Sequence, residues 1–307
     1  MRLFAVLTAT ASILSVGFTG ASAARTVHGA TRVGIAASTD PWLWASGQLD
    51  NAVVAYDLAQ SGYPAVASIT QGVSAPAGIT LDAHGTLYIV NNGNATVTEY
   101  PAGQSSPSTT LTGLSDPIGV AVDVNGDVYV TNVGAPSAIV VFKAGHTKPS
   151  RYITDRHIQV PCQIFFDAAR TLYLMDVKTG ASTMAYGTRH FTPLHLKRLG
   201  GQPVALAQGP TTGELYEGDA APGNGFSDRA RAYAPGKQRP AYSMFETVSV
   251  HWITVGSVGS EDIVFVPAYG TELPIYLFHL SRRQPFAVLS NGLHGINGVA
   301  FKPANVP

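Results

Sequence analysis

The feature that most restricts this chain is a segment that returns about every 43 residues. Pro76-Ala-Gly-Ile-Thr-Leu-Asp82, with Leu87-Tyr88-Ile-Val-Asn91 behind it, recurs as Pro117-Ile-Gly-Val-Ala-Val-Asp123 with Val128-Tyr129-Val-Thr-Asn132. A third copy is Pro161-Cys-Gln-Ile-Phe-Phe-Asp167 with Leu172-Tyr173-Leu-Met-Asp176, and a weaker fourth runs from Pro203 to Leu215-Tyr216-Glu-Gly-Asp219. Tyr88, Tyr129, Tyr173 and Tyr216 stand 41, 44 and 43 residues apart, the period of a four-stranded propeller blade. A second marker is an aromatic that ends the third strand of each unit. It falls at Tyr56, Tyr100, Phe142, Tyr186, Tyr233 and Phe278 and implies six units. Trp42-Leu-Trp-Ala-Ser46 with Ala52-Val-Val-Ala-Tyr56 represents the first unit, and Ile263-Val-Phe-Val266 with Ile275-Tyr-Leu-Phe278 the divergent sixth.

Each unit obeys the physics of short antiparallel strands. Gly119-Val-Ala-Val122 reads as a strand buried on both faces, and Asp123-Val-Asn-Gly126 carries the Asn-Gly hairpin signal. Val128-Tyr-Val-Thr131 returns as the second strand and Ala138-Ile-Val-Val-Phe142 as the third, after which Lys143-Ala-Gly145 turns into a more polar outer strand. Pro76, Pro117, Pro161 and Pro203 each precede an inner strand, where a missing amide hydrogen costs little. Near the C-terminus Gly298-Val-Ala-Phe301 copies an inner strand with no second strand after it, and an unpaired copy would be an exposed edge. The expected solution is ring closure beside Trp42–Ser46. Val33-Gly-Ile-Ala-Ala37 competes for the same slot. The fold class expected is therefore an all-β, six-bladed antiparallel propeller closed by the C-terminal strand, with seven blades as the minority alternative.

Residues 1–23 have the order of a signal peptide: Arg2, an uncharged apolar stretch from Leu3 to Val16, then Ala21-Ser22-Ala23 at the cut. That stretch is short for a membrane span. Residues 24–31 form a short leading segment and residues 32–305 a single propeller. This points to a secreted or periplasmic protein. Lys+Arg and Asp+Glu are both 19 and the charged fraction is 12%, which speaks against a nucleic acid or an anionic membrane as partner. Cys162 is the only cysteine, so the core stands without an internal disulfide. Asn94-Ala95-Thr96 matches the glycosylation triplet, which matters only in a eukaryotic source.

The repeat Pro-x-Gly-Val-Ala-x-Asp-x-x-Gly-x-x-Tyr-Val-x-Asn resembles the NHL propeller repeat. The chain as a whole is similar to six-bladed propellers of the NHL-like and TolB-like kind, distantly including the senescence-marker and gluconolactonase group. That resemblance implies the fold and leaves function open, because the architecture hosts hydrolases, lyases and binding modules. Enzymes of the gluconolactonase group hold a divalent cation over the channel with residues placed just before the inner strands. Here those positions are Ala77, Ile118, Cys162, Val204 and Asn297, of which only Asn297 is a hard oxygen ligand, whereas Ca2+ wants six to eight.

Asn91, Asn132, Asp176 and Asp219 all stand three residues after the repeat tyrosine, with Ser46 and Pro267 at the corresponding place in the remaining units. They are read either as a polar ring facing a ligand or as Asx caps that bond nearby loop backbone. The insertion Ala220-Ala-Pro-Gly-Asn-Gly-Phe-Ser-Asp228 carries Phe226, an aromatic without a strand partner, toward the same face. The histidines show no zinc spacing, and neither a nucleophile elbow nor a phosphate loop is present. Cys162 beside His157 is either a nucleophile or a small buried hydrophobe. No catalytic residue is assigned. The expectation is an exported module that binds a carbohydrate, peptide or protein without a cofactor. The alternative is a metal-dependent lactonase, another hydrolase, or a lyase working at the central channel.

Overall fold

The computed structural model describes residues 41–185, 187–197, 202–220, 229–246, 250–258, 261–268, 274–280, 282–289 and 293–302. The leader, residues 24–31, Val33–Ala37, Tyr186 and Phe226 lie outside the described residues. Six four-stranded antiparallel sheets, each paired in strict neighbour order, make up the ring. From blade one to blade six the inner strands are Ile296–Lys302, Pro76–Leu81, Pro117–Val122, Pro161–Phe166, Gln202–Gln208 and Thr254–Val258. The second strands are Trp42–Gly47, Leu87–Asn91, Val128–Asn132, Leu172–Asp176, Leu215–Ala220 and Glu261–Pro267. Blade one takes its inner strand from the far end of the chain. Trp42 pairs with Lys302, Leu43 with Phe301 and Ala45 with Val299, so Gly298–Phe301 occupies the closing slot. The Lys302 ammonium lies 5.6 Å above the Trp42 ring at this seam, a cation–π contact across the junction of the two ends.

Middle strands are mostly buried because every blade is covered on both faces by its neighbours. Val128–Asn132 and Ala138–Phe142 are buried at every position, which explains their continuous apolar character. Outer strands such as Thr109–Leu111 instead alternate toward solvent. Six side chains occupy equivalent places on the second strands: Trp44, Tyr88, Tyr129, Tyr173, Tyr216 and Phe265. Each follows a residue paired with the end of the third strand, namely Leu43 with Tyr56, Leu87 with Tyr100, Val128 with Phe142, Leu172 with Met184, Leu215 with Tyr233 and Val264 with Phe278. The third-strand marker therefore needs one correction. In blade four Met184 fills the aromatic's place, because the strand ends there, two residues before Tyr186.

The glycine of the Pro-x-Gly motif has a steric reason. A bulge in each early inner strand brings it against the carbonyl of the next blade. A Cβ on Gly298 would lie 2.5 Å from the Ala77 oxygen, and one on Gly78 would lie 2.7 Å from the Ile118 oxygen. Buried hydroxyls fasten the same joints. Ser46 Oγ donates to the Ala77 carbonyl at 2.7 Å, and Thr131 Oγ1 accepts from Gly119 N and donates to the Cys162 carbonyl, each at 2.7 Å.

Candidate functional site

Asn91, Asn132, Asp176 and Asp219 close their second strands on the face where the chain enters each inner strand, and all four are buried. Asn91 Oδ1 accepts from Ser74 N at 3.0 Å while its Nδ2 donates to Thr98 Oγ1 at 3.0 Å. Asn132 Oδ1 takes the amides of Ser115 and Asp116 at 2.9 and 3.1 Å, and its Nδ2 donates to Ser115 Oγ at 3.0 Å. Asp176 takes four amides: Gln159 and Val160 on one oxygen at 2.7 Å each, Lys178 and Thr179 on the other at 2.9 Å each. In these three blades the acceptor oxygens hold the loop two residues ahead of the motif proline, so the strand enters at a fixed angle. Asp219 accepts from Arg231, inside blade five.

Strand register changes which residues complete the ring. Leu43 and Val264 match Leu87, so the equivalents of Asn91 are Gly47 and Ala268, one residue beyond Ser46 and Pro267. At Gly47 a side chain would run into Leu293 and Asp50. Asp50, three residues later, does the tethering: its carboxylate accepts from His294 N at 2.5 Å and meets His294 Nδ1 at 2.8 Å. His294 stands two residues ahead of the closing strand, as Ser74 and Ser115 stand ahead of theirs.

The axis of the ring is occupied. Trp252, from the segment leading into blade six, is buried and reaches past blade one to touch Gly78 of blade two with the tip of its indole. Gln163 of blade four reaches past blade five: its Nε2 donates to the Ile253 carbonyl at 2.6 Å, and its Oε1 accepts from Leu206 N at 3.1 Å and Ile253 N at 3.3 Å. Alternate blades are thus tied together across the centre. Beside this plug, burial pushes the His251 imidazole down to about 4, with a hydrogen bond to Asn297 acting in the opposite direction. Burial also pushes the Cys162 thiol far up, with Asp176 and Asp116 adding to the effect, so it is not a thiolate at neutral pH. Ala77, Ile118, Cys162 and Val204 add no side-chain oxygen to that of Asn297, so the side chains at these positions do not make up the oxygen set that Ca2+ takes. Among the described residues no group of three or more His, Cys, Asp or Glu side chains is placed to hold a metal.

This ring of blades is shared with known structures. The chain is similar to one in the crystal structure of a nidogen/laminin complex, with a TM-score of 0.68 and 17% identity over 85% of this chain and 98% of that one. It is also similar to hydrazine synthase from Kuenenia stuttgartiensis, with a TM-score of 0.52 and 14% identity over 67% of this chain and 63% of the other. At these identities the likeness establishes the six-bladed propeller and nothing narrower. No family model matches the chain, and no curated protein matches it in sequence. The narrower likeness to the NHL and gluconolactonase groups rests on the repeat residues alone. Among the described residues no helix is long and apolar enough to cross a membrane.

Two residues at the axis went unread in the sequence, and each had a signal. Gln163 occupies the glycine slot of an otherwise clear repeat, Pro161-Cys-Gln where the two copies before it read Pro-x-Gly. Trp252 stands just ahead of the one inner strand that lacks the motif altogether. Departures from a repeat mark places where the side chain faces something other than the next repeat.

Proposed function

We propose that the chain is an exported binding or scaffolding module that presents blade-connecting loops to a macromolecular partner, with a protein or peptide ahead of a carbohydrate. One observation carries this reading: the polar groups at the axial mouth are committed to the chain itself. Asn91, Asn132 and Asp176 hold loop amides, Gln163 holds Ile253 and Leu206, and Trp252 fills the centre. What remains for recognition is the loop surface on a rigid frame. The nidogen/laminin structure, by its description a complex between proteins, lends the protein class its weight. Export rests on the order of charge, apolar run and small residues in residues 1–23.

The mature chain, residues 24–307, is to be immobilised and probed with extracellular protein, peptide and glycan panels, with and without EDTA. Saturable, chelator-insensitive binding that is lost when the loops are exchanged supports a binding module. Hydrolysis of simple lactones, together with a rise in melting temperature on adding Ca2+, would replace it with the metal-dependent enzyme. Detection of the intact leader on the protein in its native host would remove export.

A further inference from the structure

On the far side of the Trp252 plug the axis opens into a cavity of roughly 120 Å³, walled by inner strands of blades one, two, three, four and six. Exposure along the inner strands shows which way it faces. Ala77 and Cys162 at their starts are buried, whereas Leu81, Phe165, Phe166, Phe301 and Lys302 toward their ends are partly exposed. The mouth therefore lies on the face of the inner-to-second-strand hairpins, opposite the Asn91–Asp176 ring.

Its chemistry is specific. None of the side chains lining it is charged, so an ion entering would lose its hydration without a counter-charge. Three of the residues around it are aromatic, among aliphatic side chains and polar groups: Phe165 stacks on Tyr173 at 4.8 Å and Phe301 on Phe265 at 5.5 Å, while Trp252 forms the floor. Thr80 and Thr254 are among the residues that line it, and neither hydroxyl bonds another group among the described residues. The volume is a little below that of an engineered apolar cavity of about 150 Å³ that takes benzene, so a single six-membered ring is the largest group it admits, with its edge in the open mouth.

We propose that this cavity is a binding site for a neutral, single-ring aromatic alcohol of the phenol class. The ring lies between Phe165, Phe301 and the Trp252 floor, and the hydroxyl bonds Thr80 or Thr254. The site is separate from the loop face, so it stands or falls independently of the macromolecular partner.

The test titrates phenol into the mature chain by calorimetry and ligand-observed NMR, with cyclohexanol and benzoate in parallel. The expected result is one saturable site of about millimolar affinity or tighter, in the range open to so small a ligand. Ring protons of bound phenol should show NOEs to the Trp252 indole, while cyclohexanol and benzoate bind at least tenfold more weakly. Converting both hydroxyls, Thr80→Val with Thr254→Val, should weaken phenol at least fivefold and leave toluene unchanged. These substitutions are near-isosteric, and an unchanged melting temperature confirms that the variant is folded. Should it unfold, the wild-type NOEs and the benzoate comparison decide alone. Binding without NOEs to Trp252, equal binding of benzoate, or no saturation would overturn the proposal.

Discussion

Blades two and five meet the same local problem with opposite chemistry. In each, an Asx residue at the end of the second strand is buried against a side chain on the third strand. Blade two uses Asn91 and Thr98, with Ile89 opposite Thr98, so every buried group is neutral. Blade five places Asp219, Arg231 and Glu217 at the same three positions. Arg231 is 1% exposed, bonded to Asp219 and 3.8 Å from Glu217, which also accepts a 2.5 Å bond from Tyr233 Oη. Burial, with the Glu217 carboxylate beside it, pushes that phenol well above its ordinary range. The neutral pair forms bonds whose loss is local. The ionic group is held by charge attraction among buried side chains, so removing one member unbalances the charges left behind.

The largest test is Arg231→Met, which takes the guanidinium away from two buried carboxylates and should lower unfolding free energy by about 3–5 kcal/mol in urea denaturation. Transplanting blade two's residues, Glu217→Ile with Asp219→Asn and Arg231→Thr, should recover at least half of that loss. A triple variant as unstable as the single one would break the equivalence between the blades. Next comes Asp176→Ala, which frees four amides and should cost about 3 kcal/mol, with Asp176→Asn intermediate because an amide oxygen still accepts. The reverse exchange, Asn91→Asp, puts a carboxylate where blade two has no cation and removes the donor to Thr98. It should cost about 2 kcal/mol at neutral pH and less in acid, where the group is protonated.

A pH series sharpens the contrast at the axis. His251 titrates at about 4 when folded, below its ordinary value of 6.5, so the unfolded chain takes up the proton first. Its contribution is complete above pH 6.5 and is lost as pH falls from 6.5 to about 4, with no further loss below. His251→Gln should flatten melting temperature over that window relative to wild type. The smallest effect is expected at Asp50, whose bonds to His294 lie partly in solvent. Asp50→Ala should cost about 1 kcal/mol and show first as faster amide exchange in the closing strand.

The Asx positions show how far the repeat could be read. Their spacing after the tyrosines located Asn91, Asn132, Asp176 and Asp219 at one end of their strands, because register in a regular unit follows from counting. Counting failed at Ser46 and Pro267, since the divergent outer units carry Trp44 and Phe265 where the tyrosine stands elsewhere. The tether of blade one was invisible for a related reason: Asp50 lies in a turn and meets His294 from the other end of the chain.

The sequence by itself determined the repeat period and the strand order within a blade, and pointed to six blades, while leaving Gly298–Phe301 and Val33–Ala37 as rivals for the closing slot that only the pairing with Trp42–Gly47 decided. Those features arise from short-range alternation, turn residues and repetition, which local physics dictates copy by copy. Only the tertiary structure decided what fills the axis and what the polar ring holds. Gln163 and Ile253 stand 90 residues apart, and Trp252 and Gly78 meet across a blade that neither belongs to. Such contacts depend on the radius at which six sheets close, a property of the whole ring that no single repeat encodes.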